Sequence, residues 1–262
     1  MIRLIIIFLL IISILITIVL LNQKESFYVQ KFDKIPKVIY KSGKESNLDL
    51  SPDVKILFEK TLKKNPGFTI KYFSDEECKR FLEENYGRAV NKAYKKLKPG
   101  SYKADLFRYC ILYRNGGIWS DLTDEFMVPI EDFVDFYNDS LVLAKDKVYR
   151  GEKGIQIGFI ACKPKNPILL TAINKVVENV NNNYYGANTL SVTGPNLFYN
   201  ILNGKKNYKL DIDFDGHYYF DIKTKKKLIK YKSLKPIINK ILKRNKKEYY
   251  VSLWTNKDIY NN

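Results

Sequence analysis

The 262-residue chain predicts an α/β fold with a mostly parallel central sheet, placed behind an amino-terminal membrane helix. Three observations lead there. An uncharged apolar run opens the chain. Short β-rich segments then alternate with stretches of helical period. A double glycine joins one such helix to a short strand that ends in carboxylates.

Residues 4–21 (LIIIFLLIISILITIVLL) are 18 residues without a charge. As a helix they span about 27 Å, close to the hydrocarbon thickness of a bilayer. No small-x-small site follows Leu21, which favours an uncleaved anchor over a signal peptide. Arg3 precedes the run, and Lys24, Lys31, Lys34 and Lys37 follow it, so charge leaves the orientation open. The expected organisation is an anchor over 1–21, a polar stem over 22–35, and one α/β domain over 36–262.

Within that domain, Lys37 to Tyr40 reads as a first strand. Ser51 and Pro52 open a helix that puts Val54, Leu57, Phe58 and Leu62 on one face. Asn65-Pro66-Gly67 stops it, and Phe68 to Phe73 reads as a second strand. Ser74-Asp75-Glu76-Glu77 is a capping box for a helix running to Gly87. A helix over Tyr102–Arg114 stops at Asn115-Gly116-Gly117, and Ile118-Trp119-Ser120 is a buried strand. Strands recur at 141–145 and 155–162. Asn166-Pro167 opens a helix to about Asn182, and Gly194-Pro195 starts another. Residues 208–231 read as strands with turns.

Composition excludes several classes. Hydrophobic residues make up 45%, too many for a disordered chain, and three Cys are too few for a disulfide framework. The net charge is +17, yet Lys outnumbers Arg 38 to 7. Recognition of nucleic acid leans on the Arg fork, so this balance argues against a nucleic-acid partner. Anionic lipid or an anionic small substrate uses the charge equally well.

The chemistry concentrates in residues 103–124. Asp105 and Arg108 share a helix face. Asp121 and Asp124 are hard oxygen donors at a strand end, where open α/β sheets bind ligands. Such donors suit Mg²⁺ or Mn²⁺ together with a diphosphate. Spacing alone is equally compatible with a solvated acidic turn and a helical ion pair.

The run KADLFRYCILYRNGGIWSDLT resembles the motif of glycosyltransferases that bind nucleotide-sugars through D-x-D. It is most similar to family 32, which includes fungal Golgi and inositol phosphoceramide mannosyltransferases; the same pattern occurs in the glucosyltransferase domains of large clostridial toxins. Asp105, Arg108, Gly116-Gly117, Trp119 and Asp121 match in type and spacing. IPKVIY at 35–40, NPGFTIKY at 65–72, VTGP at 192–195 and Ser252-Leu253-Trp254 resemble further family segments. The resemblance implies a GT-A type, Rossmann-like fold and transfer of a hexose such as mannose, with retention. It implies a nucleoside-diphosphate sugar donor and a glycan, glycolipid or protein acceptor. The location implied is a single-pass protein of an internal membrane, Golgi, endoplasmic-reticulum type or other.

Carried over by position, Asp105 and Arg108 would hold the donor sugar and diphosphate, and Trp119 would line the nucleotide side. Asp121 would be the first Asp of D-x-D. Thr123 stands where the second Asp, the direct metal ligand, is expected, and Asp124 is one residue late. Metal ligation then falls to Asp121 with Thr123 or Asp124, or metal dependence is lost. An alternative follows: a membrane-tethered nucleotide-sugar or glycan-binding protein of the same fold without catalysis. Tyr40, at the first strand's end, is a candidate for stacking on the nucleobase; its other reading is a core tyrosine. Ser252 and Trp254 are candidates for a lid over the nucleotide. His217 follows Asp211, Asp213 and Asp215, but a lone histidine in a turn reads as solvated, and zinc hydrolase chemistry lacks its His cluster.

Overall fold

The computed structural model describes residues 11–17, 33–149, 152–234 and 250–261. The chain divides into two units, Met1–Lys34 and Ile35–Asn262. In the first, residues 11–17 are helical and exposed; the rest of the expected 4–21 anchor and most of the stem lie outside the described residues. No helix among the described residues is long and apolar enough to cross a membrane.

The second unit is α/β. Its strands are β1 (Val38–Gly43), β2 (Thr69–Ser74), β3 (Gly117–Ser120), β4 (Glu125–Phe126), β5 (Leu141–Tyr149), β6 (Glu152–Cys162), β7 (Lys209–Phe214), β8 (Tyr218–Asp221) and β9 (Lys227–Lys230). Its helices are α1 (Pro52–Lys64), α2 (Asp75–Asn85), α3 (Arg88–Lys96), α4 (Gly100–Asn115), α5 (Pro167–Asn181), α6 (Pro195–Ile201) and α7 (Tyr250–Thr255). The capping box forms as read: Ser74 accepts from the Glu77 amide while Glu77 accepts from the Ser74 amide. α3 is an addition to the reading. Its apolar face, Val90, Ala93, Tyr94 and Leu97, has helical spacing, but Gly87 and four lysines mask it.

The described strands form one sheet, in the order β2-β1-β3-β6-β5-β7-β8-β9-β4. The expectation of a mostly parallel sheet is corrected here: β1–β2, β1–β3 and β5–β7 are parallel, while β3–β6, β5–β6, β7–β8, β8–β9 and β4–β9 are antiparallel. Connection length is the reason. β5 and β6 are separated by two residues and β7 and β8 by three, and only antiparallel neighbours can be joined so briefly.

The sheet is also curled. Only 121–124 separate β3 from β4, a reach of roughly 18 Å from Ser120 to Glu125. Yet β4 stands six places beyond β3 in the strand order. A flat sheet would put six strand spacings, roughly 29 Å, between them. The sheet therefore bends round until its last strand meets the loop leaving β3. One apolar cluster, built on α4 and α5, packs Leu106, Phe107, Tyr109 and Ile111 with Leu169 and Ile173. A second unites Ile39, Ile118, Phe126, Phe159, Phe214 and Tyr219. The three cysteines are free and buried.

Candidate active site

Helix α4 has no solvated face over most of its length: Tyr102 and Asp105 to Leu112 are all buried. Two charged residues inside such a helix must find partners, because an unpaired buried charge is prohibitive. Arg108 Nη2 lies 3.1 Å from Asp105 Oδ1, and Nη1 lies 3.5 Å from Asp121 Oδ1. Nη1 also donates to the Ile157 carbonyl at 2.6 Å. The guanidinium lies 4.8 Å from the Trp119 ring, whose Nε1 donates to Asp121 Oδ1 at 3.2 Å. Thr193 Oγ1 donates to Asp105 Oδ2 at 2.7 Å. Asp105, Arg108, Trp119 and Asp121 thus form one group beneath the end of β3, and the Val192–Pro195 segment joins it through Thr193.

The double glycine makes this possible. Gly116 and Gly117 have φ of +64° and +99°, a region that disfavours side chains. A Cβ on Gly117 would stand 2.8 Å from the Val38 carbonyl oxygen. The reversal drives β3 tightly against β1 and delivers Asp121 one strand-length later.

The turn after β3 carries the metal-ligand candidates. The Asp124 amide donates to the Asp121 carbonyl at 3.1 Å. Asp124 is fully buried; Oδ1 accepts from the Lys232 amide at 3.0 Å, while Oδ2 has no hydrogen-bond partner among the described residues. Burial, with Asp121 beside it, pushes its carboxyl well above the usual range. Thr123 is buried, and its carbonyl accepts from the Ser233 amide and hydroxyl. Lys41 is the neighbour that sequence reasoning missed. Its ammonium is wholly buried and donates to Ser120 Oγ at 3.1 Å and to the Asp121 carbonyl at 2.8 Å. Burial lowers its pKa to about 8, against the pull of Asp124 and Asp121. Its only sequence signal was a lysine continuing an apolar strand.

An orphaned buried carboxylate oxygen beside a partly exposed Asp121 fits a hard divalent cation. No cluster of three or more His, Cys, Asp or Glu occurs among the described residues. The protein would therefore give two carboxylates and leave the remaining positions to phosphate oxygens and water, as suits Mg²⁺ or Mn²⁺.

Three expected site residues are not drawn into this group. Tyr40 takes its core reading: it is buried, its ring lies 6.3 Å from Phe73, and its hydroxyl bonds the Asn115 side chain. Ser252 and Trp254 sit on α7; the Trp254 indole donates to the Tyr185 carbonyl at 2.6 Å and lies under Lys257. On the same helix, the Tyr250 ring is 6.0 Å from that of Tyr102. His217 is exposed, as read.

Part of this chain resembles known proteins. Residues 51–140 match the family described as glycosyltransferase sugar-binding region containing DXD motif. That region, about a third of the chain, holds every member of the group except Thr193 and Lys41. Among particular relatives, the chain is 29% identical over 106 residues to the initiation-specific alpha-1,6-mannosyltransferase of Candida albicans, covering 40% of this chain and 26% of that one. It is 25% identical over 164 residues to the uncharacterized glycosyltransferase L373 of Acanthamoeba polyphaga mimivirus, covering 63% of each. The chain thus spans under two thirds of the length of either. Of solved structures, the PaToxG glycosyltransferase aligns with a TM-score of 0.45 at 21% identity, over 71% of this chain and 76% of that one. The catalytic domain of alpha-toxin from Clostridium novyi aligns with a TM-score of 0.39 at 10% identity, over 57% and 59%.

Proposed function

We propose that the protein transfers a hexose from a nucleoside-diphosphate sugar to a hydroxyl of a glycan, glycolipid or protein, with a GT-A type fold and retention of configuration. The observation that carries this reading is the bridge of Arg108 between Asp105 and Asp121. A guanidinium held between two carboxylates, with one carboxylate partly exposed, offers both donors and acceptors to a polyhydroxylated, anionic ligand. Arg108 and Asp105 orient the sugar. Asp121 accepts from its hydroxyls, and Trp119 supports the guanidinium from behind. Asp121 and Asp124 would hold a divalent cation, which supplies charge neutralisation of the departing diphosphate when bound. The name of the Candida relative supports mannose as the sugar. Residues 4–21 support attachment to an internal membrane as a single-pass protein.

The test is donor turnover. Asp121→Ala should abolish nucleotide-sugar hydrolysis and transfer while its thermal unfolding stays within a few degrees of the parent; parental rates in that variant would overturn the site. Thr123, at the second position of D-x-D, favours a second reading, a binding protein that has lost catalysis. Calorimetry with nucleotide-sugars in the presence and absence of Mn²⁺ separates the two, since that reading requires binding without turnover.

A further inference from the structure

Strand β6 has no side chain at Gly158, directly beside Asp121. A Cβ built there would stand 2.5 Å from Tyr219 Oη, 3.1 Å from Asp121 Oδ2 and 3.3 Å from Gln156 Oε1. Three side-chain oxygens therefore crowd round the point where a Gly158 side chain would stand, and only glycine fits there. Gln156 Oε1 already accepts from the Gly158 amide at 3.0 Å, and the Gly158 carbonyl accepts from the Asp121 amide at 3.0 Å.

Tyr219 is the unexplained member. It is wholly buried, and its hydroxyl has no hydrogen-bond partner among the described residues. Its ring is fixed by Phe214 at 4.9 Å, Tyr231 at 6.3 Å and Phe159 at 6.4 Å, so the hydroxyl cannot swing away to find one. A phenylalanine would fill this core without burying an unsatisfied hydroxyl. A phenol keeps its proton at neutral pH, so the hydroxyl is a donor.

We infer that Tyr219 is a donor-binding residue whose hydroxyl, with Asp121 Oδ2, grips one hydroxyl of the transferred sugar. The inference rests on the glycosyltransferase reading of the site. Its chemistry selects the sugar over the diphosphate. The Tyr219 hydroxyl donates and Asp121 Oδ2 accepts, so the ligand group must accept from one and donate to the other. An alcohol does both at once. A phosphate oxygen only accepts, and it would be repelled by the carboxylate.

The experiment is calorimetry on the full chain, with UDP-glucose, UDP-galactose, UDP-N-acetylglucosamine and GDP-mannose set against UDP and GDP. In Tyr219→Phe, the affinity for the sugar nucleotide that the parent binds should fall about tenfold, as loss of one hydrogen bond to the ligand implies. Affinity for the matching nucleoside diphosphate should stay within about twofold, and the unfolding temperature should not fall. Gly158→Ala, which places a methyl group at the convergence point, should lose the sugar nucleotide and keep the nucleoside diphosphate. Equal affinity of Tyr219→Phe and parent for the sugar nucleotide overturns the inference, as does an equal loss for both ligand classes. A parent that binds neither class overturns the glycosyltransferase reading itself.

Discussion

At the scale of single residues, the site is a set of charges that folding has made expensive. Asp105 illustrates this. Burial raises its pKa from 3.8 to about 6, although Arg108 and the Thr193 hydroxyl both pull it down. Between those values the folded protein keeps a proton that the unfolded chain has released. Stability contributed by this group is therefore intact below pH 3.8, falls as pH rises to 6, and levels off above. The loss amounts to about 3 kcal/mol. Chemical denaturation of the parent and of Asp105→Asn across pH 3.5–7.5 measures it: the difference between their unfolding free energies should change in that window and be flat above it. A constant difference would count against a proton held there. Lys41 shows the same economy. A lysine with no exposed surface is tolerated because Ser120, the Asp121 carbonyl and the nearby carboxylates receive it. Asp105, Arg108 and Asp121 were legible in the sequence because the ungapped run that holds them resembles a family motif in residue type and spacing; spacing alone left a solvated acidic turn equally open. Lys41, Gly158 and Tyr219 were not, since each comes from a different strand and carries no local pattern.

At the scale of elements, the α4–β3 junction decides the geometry. The helix must stop and reverse within Asn115–Gly117 so that Asp121 returns to the helix face that carries Asp105 and Arg108. Gly117→Ala tests this. Its positive φ alone costs about 1–3 kcal/mol, and the new methyl group would press on the Val38 carbonyl. The expected outcome is a lower unfolding temperature together with loss of nucleotide-sugar binding, because β3 can relieve the contact only by moving off β1. A variant with parental stability and binding would show that the junction has slack. The sequence read α1, α2, α4 and α5 closely, through N-caps, prolines and glycines that act within a few residues. It read strands at 141–145 and 155–162, and the structure extends them to Leu141–Tyr149 and Glu152–Cys162 and pairs them antiparallel. It overlooked α3, which turns off α2 at a corner held by Asn91, whose side-chain amide donates to the Tyr86 carbonyl at 2.8 Å.

At the scale of the whole molecule, two features matter: the curl of the sheet and the composition of the chain's beginning. The curl brings β8 back towards β6, so that Phe159 and Tyr219, on strands that are not neighbours, touch. The opening apolar run carries a different expectation. With a net charge of +17, the protein should bind anionic vesicles by electrostatics alone, but such attachment is lost in about 1 M salt, where screening extends only about 3 Å. An inserted helix resists salt. Full-length protein should therefore co-float with vesicles at both about 0.15 M and about 1 M salt, and the chain without residues 1–21 should be released at the higher. Release of the full-length chain at high salt would remove the membrane anchor from the proposal.

The sequence by itself determined the local signals: helix ends, the glycine reversal, the acidic and guanidinium groups near it, and the family they resemble. All of these depend on residues a few positions apart. Only the tertiary structure decided that the sheet is mixed and curled, that Tyr40 is core, that Lys41 lies buried against the Asp121 turn, and that Tyr219 reaches the same point as Asp121 from nearly a hundred residues away. Strand order and closure are set by the burial of two apolar clusters summed over the whole domain, and no short stretch of chain carries that sum.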